Sequence, residues 1–188
     1  LVAAHELGLR DRIELVSAVP SPVNRDANIV AHNPLGKIPT LITADGVTLY
    51  ESRVICEFLD DLGGRRLLPA AGPRRWSVLV DQSLADGIMD AAVLGRYETF
   101  ARPEALRWDA WLTGQFAKVD SSLNEFERRA AALGDRIDVG TIALGAALEY
   151  LDFRYASLAW RDRHPLLAQW FETFGARDSM KATSPFTA

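Results

Sequence analysis

The sequence predicts a small mixed α/β domain followed by an all-helical bundle. Three observations carry the prediction. A β-hairpin signature stands in the first third, a run rich in Pro, Ala and Gly follows it, and beyond that run only long helical periods appear. The boundaries read as 1-66 for the α/β domain, 67-74 for a linker and 75-188 for the helical domain.

The chain opens on Leu1, Val2, Ala4, Leu7 and Leu9 with Glu6 among them, the second half of an amphipathic helix that stops at Gly8. Ile13-Glu14-Leu15-Val16 reads as a strand ended by Pro20-Ser21-Pro22, and Asn24 to His32 as a short helical or turn segment. Asn33-Pro34 starts a turn, Gly36 permits a positive φ, and Pro39 stands just before the strand Thr40-Leu41-Ile42. Asp45-Gly46 supplies a hairpin turn and Val47-Thr48-Leu49-Tyr50 the antiparallel return. A helix follows from Glu51 to Leu62. Ser52, Ile55, Cys56 and Leu59 share its inner face, with Glu57, Asp60 and Asp61 off it, and Gly63-Gly64 end it. Cys56 is read as a small buried hydrophobe rather than a nucleophile, since apolar surroundings raise a thiol's pKa and hide it.

Leu68-Pro69-Ala70-Ala71-Gly72-Pro73 has the composition of a linker. Trp76 to Phe100 follows as one long helix, with Val80, Leu84, Ile88, Ala91 and Ala92 inward, until Pro103 breaks it. Glu104 to Ala132 is its partner, carrying Trp108, Trp111, Leu112, Phe116, Val119, Leu123 and Phe126 on one side, and Gly134 caps it. Asp138 to Phe153 is apolar nearly all round and is expected to be the buried central helix, its start marked by Asp138-Val139-Gly140-Thr141. His164 enters a last long helix at Pro165, with Leu166, Leu167, Trp170, Phe171 and Phe174 inward. The tail from Arg177 to Ala188 reads as irregular.

Composition narrows the function classes. An apolar content of 48% suffices for real cores, and 21 Lys plus Arg against 25 Asp plus Glu give a net charge of −4 without a basic stripe, which argues against nucleic acid. No apolar stretch reaches spanning length and no signal-peptide layout opens the chain, so no membrane partner is expected. The single cysteine excludes an intramolecular disulfide and fits a reducing, cytoplasmic setting. His5, His32 and His164 are scattered and form no ligand motif, so no metal is expected, and GxGxxG, Walker and GxSxG signatures are missing.

The chemistry-bearing stretch is Asn33-Pro34-Leu35-Gly36-Lys37-Ile38-Pro39 with its answer Glu51-Ser52. Ile38 at a strand edge offers a short template for an extended peptide. The start of the Ser52 helix presents amide donors and a positive dipole end, and Lys37 adds a cation, so the set suits a small acidic peptide. These residues resemble the glutathione site of the glutathione S-transferase superfamily, and the resemblance covers essentially the whole chain. It implies a thioredoxin-like first domain, an all-helical second one and glutathione as co-substrate. It further implies that Ile38 pairs with the backbone of the glutathione cysteine with Pro39 in cis, that Glu51 and Ser52 hold the γ-glutamyl end, and that Lys37 lies near the glycyl carboxylate. In that family a first strand, and a turn carrying a catalytic Ser, Cys or Tyr, precede the helix that opens this sequence. Both are therefore expected N-terminal to Leu1, leaving the first domain incomplete here. At the start of the buried helix the family has Ser or Thr followed by Asp, and here Asp138 and Thr141 exchange those places.

The activity implied is transfer of the glutathione thiolate to small hydrophobic electrophiles, or a related glutathione-dependent reduction. A non-catalytic glutathione- or ligand-binding protein of the same fold is the alternative, and the residue in the preceding turn decides between them. Arg96, Tyr97 and Phe100 are candidates for the second, electrophile site. A homodimer is expected, paired through the Ser52 and Trp76 helices, with Gly87 allowing close approach and Asp86 reaching the neighbouring glutathione.

Overall fold

The computed structural model describes residues 1–186, which fall into two compact units. Residues Ala3–Arg66 form the first. Helix α1 (Val2–Glu6) ends at Gly8, whose φ of +70° turns the chain into a 3-10 turn at Arg10–Arg12. The strand expected at Ile13–Val16 does not form: Leu15 and Val16 are 54% and 84% exposed in extended coil. A strand needs a ladder partner for its backbone groups, and the described residues supply none there. Helix α2 (Ala27–His32) is capped by the Asp26 carboxylate, which accepts from the amides of Asn28 (2.8 Å) and Ile29 (3.4 Å).

Strands β1 (Thr40–Ile42) and β2 (Thr48–Tyr50) pair antiparallel in the register Thr40–Tyr50, Leu41–Leu49, Ile42–Thr48. Gly46, at φ +85°, makes the turn, and the Thr43 hydroxyl accepts from the Val47 amide at 2.9 Å. Helix α3 (Ser52–Leu62) buries Ile55 and Leu59, while Cys56 is half-buried. Asp60, expected on the outer side, is instead buried. Its carboxylate accepts the Arg66 amide at 2.8 Å, which satisfies it where the chain leaves the helix. At Gly63 a Cβ would stand 2.6 Å from the Leu7 side chain, so the end of α3 sits directly on the segment after α1.

The second unit starts at Leu67 and also takes Leu1–Val2. Leu67 and Leu68 are buried, and the Leu67 carbonyl accepts the Val139 amide at 3.1 Å. The stretch with linker composition is thus anchored at its start. Helix α4 (Pro73–Arg96) begins within that stretch, on a proline at its first turn, and continues as a π-helical turn over Tyr97–Ala101. Glu104–Leu106 is a separate 3-10 turn, so α5 (Asp109–Arg128) starts later than its periodicity suggests. Trp108 consequently stands before the helix and 65% exposed, not on the inner face, whereas Val119, Leu123 and Phe126 are buried as expected. The short α6 (Ala130–Leu133) ends at Gly134, φ +52°.

Helix α7 (Val139–Arg154) is the buried centre of this unit. After α8 (Trp160–Arg163), α9 (Pro165–Gly175) buries Leu167, Trp170, Phe171 and Phe174. Leu166, expected inward, is 56% exposed: it lies in the first turn, where its amide donates to Glu127 at 3.0 Å. His164 is fully buried, its ring nitrogens against the Trp160 carbonyl (2.7 Å) and Asn124 (3.1 Å). The tail read as irregular contains a further helical turn, α10 (Asp178–Lys181), because Met180 is apolar enough to be buried at 1% exposure. The last part of that tail, Thr187 and Ala188, lies outside the described residues.

The start of α7 carries the densest polar network. Asp138 accepts the amides of Gly140 (3.1 Å) and Thr141 (3.0 Å), and the Thr141 hydroxyl accepts the Asp138 amide at 3.0 Å, a reciprocal capping box. Arg136 donates to Asp138 (2.9 Å) and to Asp81 of α4 (2.8 Å), and Arg129 donates to Asp81 at 2.7 Å. Burial disfavours the Arg136 charge, but the two carboxylates overcome that and raise its pKa. Gly140 has no room for a side chain: a Cβ would lie 2.8 Å from both the Asp81 side chain and the Val78 carbonyl.

Two stability predictions follow from these contacts. Asp138→Ala removes a helix cap and should cost about 0.5–2 kcal/mol, read as a lowered urea midpoint; an unchanged midpoint would remove the cap from the account. Glu98, buried within the π turn, accepts the Trp108 amide (2.8 Å) and Arg102 (2.6 Å), and these bonds, in that order, hold its carboxyl below the ordinary 4.5. A lowered folded-state pKa stabilises fully above the unfolded value, and that stability is lost as pH falls through the folded one. Glu98→Gln should therefore flatten the acid limb of the stability profile below about pH 4.5, measured by thermal melts across pH; an acid limb as steep as that of wild type would refute this.

Candidate functional site

The hairpin register decides what lies together in the first unit. Because Thr40 pairs with Tyr50, Ile38-Pro39 and Glu51-Ser52 leave the same end of the β1–β2 ladder, and the sequence-predicted residues Lys37, Ile38, Pro39, Glu51 and Ser52 gather there. The loop that carries the first three is held from inside by Asn33, 1% exposed. Its side-chain amide donates to the Lys37 carbonyl (2.9 Å) and to the Thr40 hydroxyl (3.2 Å), and its carbonyl oxygen accepts the Leu35 amide at 3.0 Å. Thr40 in turn donates to the Lys37 carbonyl at 3.0 Å. Arg25 closes the outside by donating to the Pro34 carbonyl, and it packs over Gly36, φ +65°, where a Cβ would meet its guanidinium at 3.2 Å.

The product of this scaffolding is an open edge. The Ile38–Pro39 peptide bond is cis, Ile38 is 54% exposed, and among the described residues no group of the chain bonds the Ile38 amide or carbonyl. Across the ladder end, Glu51 sits at φ +77°, a conformation L residues seldom adopt. There its carboxylate caps α3, accepting the Arg53 amide and the Ser52 hydroxyl, each at 3.2 Å. The first amide bonded in helical fashion is that of Ile55, to the Glu51 carbonyl, so Ser52 and Val54 keep the open donors of a helix start. Lys37, next to Ile38 in sequence, is exposed. A short peptide with an extended backbone and a carboxylate finds a backbone edge, a hydroxyl, helix donors and a cation here. Sequence reasoning treated Asn33 only as a turn starter; an Asn before Pro also signals a side chain folded onto its own loop. Nothing in the sequence marks Arg25.

The second-site candidates belong to the helical unit. Arg96 closes α4 and stacks its guanidinium over the Phe100 ring, 4.2 Å from the centroid, with half-buried Tyr97 between them in the π turn. Phe100 is 72% exposed. The end of α7 adds residues that sequence reasoning missed. Tyr155 donates to the Ala92 carbonyl at 2.8 Å, and burial pushes its pKa up to about 12. Tyr150 is also raised, by burial against the opposing pull of Arg154 and Arg96. The spacing of Tyr150 and Arg154, one helical turn apart, was the available signal. Asp86 lies ten residues before Arg96 on α4, about 15 Å along the axis, half-buried beside Gly87, where a Cβ would meet open space. Among the described residues no three His, Cys, Asp or Glu side chains gather as a metal site would require, and no helix is long and apolar enough to cross a membrane.

Residues 1–62 match the family profile of the glutathione S-transferase N-terminal domain, and residues 109–173 that of the glutathione S-transferase C-terminal domain. An uncharacterised GST-like protein of Escherichia coli K12, YibF, is 32% identical over 87% of this chain and 83% of its own length. A glutathione transferase family member from Pseudomonas fluorescens Pf-5, solved with bound glutathione, superposes with a TM-score of 0.96 at 44% identity, covering 98% of this chain and 91% of that one. A glutathione S-transferase from Methylobacterium radiotolerans, in complex with glutathione sulfonate, gives 0.86 at 36% identity over 98% and 87% of the two chains. With a small two-stranded sheet and its helices first and a helical domain after, at these identities over nearly the whole length, the chain belongs to the glutathione S-transferase family.

Proposed function

We infer that this protein binds glutathione at the hairpin end and presents its thiol to small hydrophobic electrophiles, or uses it in a related reduction. The observation that carries the reading is the unbonded Ile38 backbone edge facing the same ladder end as the Glu51-Ser52 helix start. Glutathione held in the Pseudomonas fluorescens relative, and its S-propanoic acid derivative in a second structure of that protein, support the choice of ligand. Ile38 pairs with the cysteinyl backbone beside Pro39. Ser52 and the first amides of α3 bind the γ-glutamyl carboxylate, Glu51 accepts from the γ-glutamyl ammonium, and Lys37 pairs with the glycyl carboxylate. Bound glutathione supplies the thiol, which reacts as thiolate. What this chain's residues contribute is orientation: a peptide fixed at both ends has its middle side chain aimed, which lowers the entropic part of the barrier. The electrophile is received by Arg96, Tyr97 and Phe100, the cationic end of α4 and the aromatic residues of its π turn. A homodimer pairing the exposed face of α4 at Gly87 brings Asp86 toward the partner's glutathione. The lone half-buried thiol of Cys56 suits a cytoplasmic protein.

Calorimetry tests the peptide site. Ser52→Ala removes one hydrogen bond to a charged group and should weaken glutathione by about 1.5–3 kcal/mol, roughly ten- to a hundredfold or somewhat more in Kd, with little effect on stability. Wild type that ignores millimolar glutathione, or a Ser52→Ala variant that binds equally well, would sink the site. Asn33→Ala acts differently: it strips the loop's internal bonds and should cost stability by about 1–3 kcal/mol as well as affinity. A thermal midpoint unmoved by that substitution would exclude Asn33 as the loop's anchor. Light scattering at micromolar concentration that returns a monomer would overturn the dimer.

A further inference from the structure

Among the described residues of the helical unit three carboxylates are buried, and one of them lies outside the network at the start of α7. Asp81 and Asp138 share Arg129 and Arg136 there. Glu98 stands instead in the π turn, between Tyr97 and Phe100, and is 4% exposed. A buried carboxylate is costly unless donors meet it, and this one is met from two directions. One oxygen accepts from the Arg102 guanidinium, four residues on, at 2.6 Å. The other accepts the backbone amide of Trp108, ten residues on, at 2.8 Å. Trp108 stands at the start of α5, where no side chain of its own caps the helix. One side chain therefore closes the whole excursion from the end of α4 to the start of α5.

That excursion carries the electrophile candidates. Its first part departs from the α-helix: the Arg102 amide donates to the Tyr97 carbonyl at 3.0 Å, an i→i+5 bond, so the turn holds one residue more than an α-helical turn would. Such insertions redirect the side chains that follow, and they are frequent at functional sites. Here Phe100 is exposed, with the Arg96 guanidinium over its ring, while Glu98 two residues earlier is buried. Just before the turn α4 packs tightly on α5, since a Cβ on Gly95 would lie 3.0 Å from Phe116 and 3.3 Å from Leu112. Beyond that contact Glu98 ties the turn to α5. We propose that Glu98 is a positioning residue of the electrophile site: by holding Trp108 and Arg102 it sets where Tyr97 and Phe100 meet the co-substrate. This deepens the reading of Arg96, Tyr97 and Phe100 as that site and rests on it. Both carboxylate oxygens are occupied by the chain's own donors, so Glu98 acts through the backbone and takes no part in the transfer. The peptide site is built from residues of the first unit, so its affinity for glutathione does not depend on Glu98.

The experiment compares glutathione with a product-like ligand, S-(2,4-dinitrophenyl)glutathione, each titrated calorimetrically into the full-length protein. The two share the peptide, so the ratio of their Kd values reads the site of the aryl group alone, and the conjugate should bind wild type more tightly. Glu98→Ala leaves the Trp108 amide and Arg102 without their acceptor. It should weaken the conjugate about three- to tenfold, the span of one hydrogen bond, while Kd for glutathione moves by less than about twofold. Glu98→Gln keeps an oxygen for the Trp108 amide and should restore most of the loss. A variant that is merely less folded shows fewer binding sites per chain and an unchanged ratio; that result overturns the proposal, as does an equal loss for both ligands. Should Glu98→Ala not fold, Arg102→Gln carries the test by removing one of the two donors, and an unchanged ratio there overturns the proposal too. Phe100→Ala separates the proposal from the reading beneath it. If its ratio equals that of wild type, the electrophile site itself is refuted; if its ratio falls while that of Glu98→Ala does not, only the positioning role is. Wild type that binds neither ligand refutes the peptide site and the proposal with it.

Discussion

The buried start of α7 is the constraint on which the helical unit depends. A helix apolar on nearly every side can occupy the centre of a bundle, but its first amides then have no water to satisfy them. Asp138 and Thr141 satisfy them reciprocally, and that brings a carboxylate into a site where charge is expensive. Arg136 neutralises it, Asp81 balances Arg136, and Arg129 completes the set, so two cations and two anions close on one another. The network reaches across α4, the segment after α6 and α7 at once. Gly140 is part of the same solution, because only the lack of a side chain lets the α7 start approach α4 closely enough for Asp81 to share Arg136.

In the first unit an analogous task falls to Asn33, with a different outcome. Asp138 ties polar groups into a closed circle. Asn33 uses its donors and acceptor to tie up Lys37, Leu35 and Thr40, and the next residue, Ile38, is left with its amide and carbonyl unbonded at the surface. An unpaired backbone edge of this kind invites an added strand, which proteins elsewhere suppress with charge or cover. Here the edge is short, flanked by Lys37 and Pro39, which limits it to a peptide of a few residues. Rigidity of the loop and availability of its edge thus have one origin: the Asn33 and Thr40 side chains hold the Lys37 carbonyl and the Leu35 amide and leave the Ile38 groups open.

The fold class was legible because its signals are local. Asp45-Gly46 sets the hairpin, the Asp138 cap and Pro165 set two helix starts, and the change from strand runs to helical periods marks the two kinds of domain. What was not legible depends on partners. Ile13–Val16 has a strand's composition, yet composition cannot supply a neighbouring ladder. Trp108 and Leu166 fit the helical period but fall at helix starts, where the inner face has not yet begun. Asp60 looks like a surface residue until the chain folds Arg66 back onto it. At the candidate site the hairpin's turn length makes the meeting of Pro39 with Glu51 readable. The grip of Arg25 on Pro34, and the bond from Tyr155 after α7 to the Ala92 carbonyl of α4, arise only from tertiary packing.

Charge placement shows why the net value is a poor guide to what such a protein binds. The chain carries −4, yet the cation Lys37 and the open donors of the α3 start stand at the hairpin end, and Arg96 stands at the end of α4. Salt screens distant charges beyond about 10 Å at 0.1 M ionic strength, so carboxylates elsewhere act on a bound anion far less than donors in contact with it. The acidic excess is mostly in places where it serves folding: Asp81 and Asp138 inside their network, Asp60 and Glu98 capping turns, Asp26 and Glu51 at helix starts. Carboxylates committed to internal donors are not available to pair with Arg96, which among the described residues forms no ion pair and lies over the Phe100 ring instead.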